Sequence, residues 1–319
     1  MLESMSESQP VSGPVRVRTV DVTEDDAGQR IDNFLARHLR GVPRSRIYRI
    51  LRRGEVRVNG GRVKPAHRLA AGDRVRIPPV RIAERPETLI PASLHDRLEN
   101  AVIYEDKRLL VIDKPCGLAV HGGSGLSFGV IEALRKLRPK CQSLELVHRL
   151  DRETSGCLMI SKRRSELRSL HELLRTGQVE KRYLTLLAGR LPEDRLVCKA
   201  PLTVVRRGGE RHVEVDTDGR EAHSEFIRLE NYRSATLVEV LLVTGRTHQI
   251  RAHAAHLGIP VAGDDRYGNC AANRQFAAKG LRRLFLHAHA LRFERPHNGE
   301  DFQVSAPLPD ELRTVLNRL

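Results

Sequence analysis

Prolines 78, 79, 86 and 91 punctuate a stretch without apolar periodicity, and the charge of the chain changes character on either side of it. Proline removes backbone donors and fixes φ, so one hydrophobic core cannot be carried through such a segment. Two folded units joined by a semi-rigid connection are therefore expected, and 319 residues suffice for both cores. The reading places a polar tail over residues 1–18, a small unit over 19–80, the connection over 81–98 and a large unit over 99–319.

Charge separates the units. Lys and Arg total 55 against 40 Asp and Glu, a formal excess of +15. From Gly28 to Arg81 fifteen basic residues face only Asp32, Glu55 and Asp73, so most of the excess sits in the small unit. A solvated face normally mixes both signs, and concentrated positive charge points to a polyanion, nucleic acid before an anionic membrane. No apolar run approaches the length of a spanning helix, and the polar start has no signal-peptide core, so the cytoplasm is the expected compartment. The five cysteines are scattered without zinc-ribbon or redox spacing, which favours reduced thiols of structural role.

Within the small unit Ile31, Phe34, Leu35 and Leu39 recur at helical spacing, as do Ile47, Ile50 and Leu51 after Pro43 and Ser45. Arg46, Arg49 and Arg53 fall opposite the second apolar stripe, and Gly54 supplies a stop, so this helix packs by one face and presents a cationic other. Val56 and Val58 before Asn59-Gly60, then Val75 and Ile77, read as short strands. The run from Ser45 to Gly60 resembles the helix-loop-strand signature of S-four-type RNA-binding domains. That resemblance implies RNA as the partner, with Arg46, Arg49 and Arg53 among its contacts.

Beyond the connection, short β-type runs dominate: residues 102–104, 109–112, 158–160, 183–188, 235–242, 284–293 and 302–304. Helices are expected near 129–137, 165–175 and 249–257. Because strands do not alternate regularly with helices, the expected class is α+β, a mixed or antiparallel sheet with flanking helices.

One carboxylate stands out. Asp151 lies between Arg149 and Arg152 in a turn-rich interval before an apolar strand, and a loop carboxylate beside fixed positive charge serves as nucleophile or base. An isolated Asp-Arg neighbourhood is more often a plain surface pair. His148-Arg149-Leu150-Asp151-Arg152-Glu153-Thr154-Ser155-Gly156, however, resembles the signature of RluA-type pseudouridine synthases. Lys181-Arg182-Tyr183-Leu184, then Thr244 to His253, then Gly263-Asp264 and Tyr267-Gly268 match the same family in order.

The resemblance implies Asp151 as the catalytic residue, Tyr183 stacked on the target base, Arg246 paired with Asp151, Ile250 as an apolar wall and Arg149 filling the space of a flipped nucleotide. It also implies isomerisation of uridines in large-subunit ribosomal RNA, a reaction that needs no cofactor; oligomeric state is open from the sequence, with a monomer preferred. Flipped bases need aromatic or apolar faces, and a guanidinium after Gly245 suits a carboxylate, so the residue types agree. Tyr183 as an ordinary sheet aromatic and Arg246 as a phosphate contact are the plainer alternatives. The glycine-rich stretch His121 to Gly129 has neither a Gly-x-Ser-x-Gly elbow nor a phosphate-loop lysine. His248, His253 and His256 lack a zinc-hydrolase arrangement and read as solvated or RNA-facing imidazoles. A non-catalytic RNA-binding or ribosome-assembly protein, or the same chemistry on transfer RNA, remain the competing functions.

Overall fold

The computed structural model describes residues 16–39, 41–80, 91–122, 128–141, 143–207 and 210–319. Most of the expected tail, the first part of the expected connection and the middle of the glycine-rich stretch lie outside the described residues. The chain divides near residue 88 into two compact units.

The small unit runs β1 (Arg18–Asp21), α1 (Ile31–His38), α2 (Arg44–Arg52), β2 (Arg57–Val58) and β3 (Arg74–Ile77), with an antiparallel sheet in the order β1-β3-β2. Ile31, Phe34 and Leu35 of α1 and Ile47, Ile50 and Leu51 of α2 close over Val75 and Ile77 as one core. Pro43 precedes α2, where its missing N–H costs nothing, and Gly54 ends it with φ +67. Asp32 is buried at the helix junction. It accepts Arg30 Nη2 at 2.7 Å and the Tyr48 hydroxyl at 2.8 Å. Burial alone would raise its carboxyl, but those donors outweigh it and leave it lowered. Tail residue Arg18 begins β1, because Val20 pairs with Val75 and the strand completes the sheet edge.

The large unit contains α3 (Ala92–Asn100), β4 (Val102–Glu105), β5 (Leu109–Lys114), α4 (Val130–Leu137), β6 (Glu145–Leu146), β7 (Ser155–Ser161), α5 (Arg164–Arg175) and β8 (Glu180–Leu187). It continues with β9 (Arg195–Cys198), β10 (Leu202–Arg207), β11 (Glu210–Val215), β12 (Ser224–Asn231), β13 (Thr236–Leu242), α6 (Gln249–His256), α7 (Cys270–Ala278), β14 (Leu286–Glu294), β15 (Asp301–Ser305) and α8 (Asp310–Leu316). The expected connection overran: α3 starts right after Pro91 and buries Leu94 and Leu98, so residues 92–98 belong to this core.

Among the described residues a ten-stranded sheet runs β4-β5-β7-β14-β8-β13-β12-β9, with β15 on β14 and β6 on β7. All of these pairings are antiparallel except β7 with β14, which makes the sheet mixed and the class α+β as the strand pattern implied. The alternation of side chains explains the layers. Leu110, Ile112, Leu158 and Ile160 face α4 in one apolar cluster, and Leu109, Val111, Cys157 and Met159 face α5 in another. Both faces are covered, so β7 is buried along its whole length. Gly156, at φ +110, lets β14 approach: a Cβ there would stand 2.2 Å from the Ala288 carbonyl oxygen.

Candidate active site

Asp151 sits on the loop between β6 and β7. Val147 and Leu150 are buried in opposite clusters and pin the loop to both faces of the sheet, while Thr154 N–H donates to the Asp151 carbonyl at 3.1 Å. Beneath it lies Lys114, at 0% exposure. Its ammonium donates to the carbonyls of Pro115 at 3.0 Å, Leu118 at 2.8 Å and Arg152 at 3.2 Å, committing all three protons to backbone. Gly117 N–H also donates to the Arg152 carbonyl at 2.9 Å, and Arg152 Nε returns a bond to the Gly117 carbonyl at 3.0 Å. The residue next to Asp151 is thus clamped through its main chain. Burial, aided by the Arg283 charge and opposed by nearby acids, pushes Lys114 down to about 8.

A cavity of about 950 Å³ opens above this loop, lined by Arg149, Asp151, Lys181, Tyr183, Arg246, His248, Ile250 and Arg251 among others. Tyr183 comes from the middle of β8, where it pairs with Val240 on one side and Ala288 on the other, and its ring is buried against the core. Burial, then the Asp151 charge, raises its phenol, so it stays protonated at neutral pH. Lys181, two residues earlier on the same face of β8, is buried in the cavity wall and is lowered by burial to about 8. Ile250 lies on the first turn of α6 and packs into the cluster that holds Tyr183. Arg149 is exposed at the cavity edge.

The structure places the Asp151 counter-charge differently from expectation. Arg246 points away, donating from Nε to the Glu221 carbonyl at 2.9 Å. The flanking Arg152 is taken up by Gly117 and Glu153. The guanidinium beside Asp151 is that of Arg251, with Nη1 3.6 Å from Oδ2. The approach to α6 explains the exchange. Buried Gln249 folds the turn back on itself, accepting from Thr244 Oγ1 at 2.8 Å and Arg246 N–H at 2.9 Å and donating to His223 and Ser224. His248 takes the left-handed region at φ 51, so the chain reverses direction between Arg246 and Arg251.

Arg251 is itself held rigidly. Its Nε and Nη2 bind Asp264 at 2.6 and 2.7 Å, and its guanidinium lies 5.0 Å from the centre of the Tyr267 ring. Burial would raise Asp264, but Arg251 and the N–H groups of Tyr267 and Arg266 overcome it and keep the carboxylate lowered. His248 Nε2 stands 3.7 Å from Asp151 Oδ2. Burial lowers its imidazole, with Arg251 and Arg266 adding to that and Asp151 opposing. His253 is not solvated as expected. It is fully buried, with Nδ1 3.1 Å from Ser224 Oγ and Nε2 2.9 Å from the Ala200 carbonyl oxygen. Gln249, Arg251, Asp264 and Tyr267 lie in the matched motifs but were given no role from the sequence, and Lys114 was not singled out, since each role depends on contacts that only the fold creates.

In the small unit Arg49 of α2 is exposed, Arg53 just after the helix is exposed 3.8 Å from Glu55, and Arg46 is half-buried, its Nε buried without a hydrogen-bond partner among the described residues.

The site thus brings a carboxylate on a clamped loop, a buried aromatic wall and several cationic side chains to one cavity. The chain belongs to the RNA pseudouridylate synthase family, whose members isomerise uridine to pseudouridine. Residues 108–256 match that family and residues 29–75 match the S4 domain. Its relatives include Ribosomal large subunit pseudouridine synthase C of Yersinia pestis, 54% identical over 303 residues, covering 94% of this chain and 95% of that protein. The protein of the same name from Escherichia coli (strain K12) is 53% identical over 308 residues, covering 95% and 97%. Among solved structures, Human RNA Pseudouridylate Synthase Domain Containing 4 aligns at 27% identity with a TM-score of 0.60, over 71% of this chain and 95% of that one.

Proposed function

We propose that this chain converts specific uridines of large-subunit ribosomal RNA to pseudouridine, with Asp151 as the catalytic carboxylate. The observation that carries the reading is Asp151 itself: a carboxylate at the cavity floor, backbone-clamped and 3.6 Å from a guanidinium. A uridine leaves the helical stack and enters the cavity, where the Tyr183 ring and the Ile250 side chain form its walls. Such contacts offset an unstacking cost of a few kcal/mol. Asp151 then acts on the nucleotide, the bond from the ribose anomeric carbon to the base nitrogen breaks, and uracil turns. Carbon 5 joins the anomeric carbon and gives up its proton, while the freed nitrogen gains one. Atoms and electrons balance, so the step needs no redox partner or cosubstrate. Arg149 at the rim occupies the place of the extruded base, and Arg246 and Lys181 supply positive charge toward the sugar-phosphate chain.

Arg46, Arg49 and Arg53 of the small unit add phosphate contacts and so strengthen RNA binding. The enzyme is read as a monomer, and a ribosomal substrate supports a cytoplasmic location. The 54% identity with a large-subunit enzyme over nearly the full chain supports ribosomal over transfer RNA.

Pseudouridine mapping of RNA from cells lacking the protein, complemented with wild type or Asp151→Asn, tests the reading. Loss of large-subunit sites restored only by wild type is the expected result. Loss confined to transfer RNA refutes the substrate, and restoration by Asp151→Asn refutes the catalytic residue.

A further inference from the structure

Two hydrogen bonds meet at the Tyr267 hydroxyl. Val213 N–H of β11 donates to it at 2.9 Å, and Nδ1 of His248 stands 2.8 Å away. The other nitrogen of the same imidazole, Nε2, faces Asp151 Oδ2 at 3.7 Å, and Arg251 Nη1 approaches that same oxygen at 3.6 Å. We infer that Tyr267 donates its proton to His248 Nδ1, so that His248 presents Nε2–H to Asp151 and, with Arg251, holds Oδ2 while Oδ1 meets the substrate. The inference rests on Asp151 being the catalytic carboxylate.

Proton positions decide the direction. A phenol has one proton, and Val213 already uses one of its lone pairs. If Nδ1–H donated to Tyr267 instead, the phenol proton would have no acceptor among the described residues. The bare lone pair of Nε2 would then face a carboxylate oxygen, which is repulsive. With Tyr267 as donor, every group has a complementary partner. Burial raises the Tyr267 phenol, so its proton is present, and it lowers the imidazole of His248, so a neutral tautomer is the one to assign. No described residue donates a hydrogen bond to Oδ1. Contacts of 3.6 and 3.7 Å are longer than hydrogen bonds, as is common for catalytic groups before substrate enters.

His248 and Tyr267 are therefore positioning residues: neither reacts, and both act through the orientation of one carboxylate. The left-handed backbone at His248, φ 51, aims the ring between its two partners.

The test uses the full-length chain labelled with 15N-histidine, with the His248 signals assigned by their loss in His248→Gln. Long-range nitrogen–proton correlation is expected to show the neutral Nε2–H form in wild type and a tautomer mixture in Tyr267→Phe. A neutral Nδ1–H form or an imidazolium in wild type overturns the inference, and this readout does not depend on activity. Kinetically, Tyr267→Phe should lower kcat by about twofold or more, since only part of the population then presents Nε2–H to the carboxylate, with KM within about twofold. His248→Gln, whose amide nitrogen replaces Nε2–H, should retain more kcat than His248→Asn, whose amide falls at Nδ1. Equal kcat in the two variants, or wild-type kcat in Tyr267→Phe, refutes the positioning role. An active Asp151→Asn would instead remove the catalytic reading on which the inference rests, leaving the tautomer measurement intact.

Discussion

Replacing Asp264 with Asn separates charge from shape at the base of the site. The amide keeps an oxygen for the N–H groups of Arg266 and Tyr267, which Asp264 Oδ1 accepts at 2.9 and 3.0 Å, so the turn should persist. What is lost is the negative charge facing Arg251, which makes two buried bonds of 2.6 and 2.7 Å to this carboxylate. Removing one partner of a buried pair costs about 3–5 kcal/mol, because the other charge is left without compensation. Asp151 stands 3.6 Å from the same guanidinium and takes over part of that compensation, which puts the expectation at the low end, about 3 kcal/mol. For a unit of this size that is a fall in Tm of about 6–12 °C. Differential scanning calorimetry measures it. The freed guanidinium should also move onto Asp151 and reduce kcat. The decisive comparison is the double variant Arg251→Met with Asp264→Leu, which removes both charges and should be more stable than the sum of the single losses. A loss under about 1 kcal/mol for Asp264→Asn, or strict additivity in the cycle, refutes the claim that this pair is what fixes Arg251.

Neutralising Arg46, Arg49 and Arg53 together should weaken RNA binding across sequences and flatten the plot of log affinity against log salt by about 0.7–0.9 for each phosphate no longer neutralised. Filter binding over a salt series reads this, and an unchanged slope removes those arginines from the interface. Lys114 sits near 8 in the folded chain against an ordinary 10.5, so the unfolded chain binds more protons between those values and stability must rise with pH through that window. At about 1.4 kcal/mol per unit the Lys114 contribution is about 3 kcal/mol. Lys181, lowered to about 8, adds a slope of the same sign, so urea melts should show a steeper rise in wild type than in Lys114→Met, and equal slopes would mean that Lys114 is not buried as charge.

The helices of the small unit were legible because their apolar residues repeat at helical spacing and carry a proline start and a glycine stop. The inner strands β5, β7 and β8 were legible as apolar β-type runs. β12 was not: Ser224 to Asn231 is buried at one end and exposed at the other, so its pattern fades along its length. α3 was hidden by the prolines before it. In the site, the family motifs located Asp151, Tyr183 and Ile250, but not which guanidinium meets the carboxylate. That choice depends on the left-handed turn at His248 and the bonds of buried Gln249, a backbone reversal that no residue spacing announces. Asp264 stood within a matched motif but its role, like the presence of Lys114, was hidden for a related reason, since a buried charge looks like a solvated one until its partners are known.

The loop carrying Asp151 is secured by the main-chain carbonyls of residues 151 and 152 and by the buried Val147 and Leu150, while the side chains of Arg149, Arg152 and Glu153 remain exposed. Sequence drift at these three positions therefore reshapes the surface at and beside the cavity mouth, which Arg149 lines, without removing the main-chain clamp. One scaffold can acquire new RNA targets by surface substitution while its chemistry stays fixed, and a library randomised at those three codons is where altered target choice should emerge first.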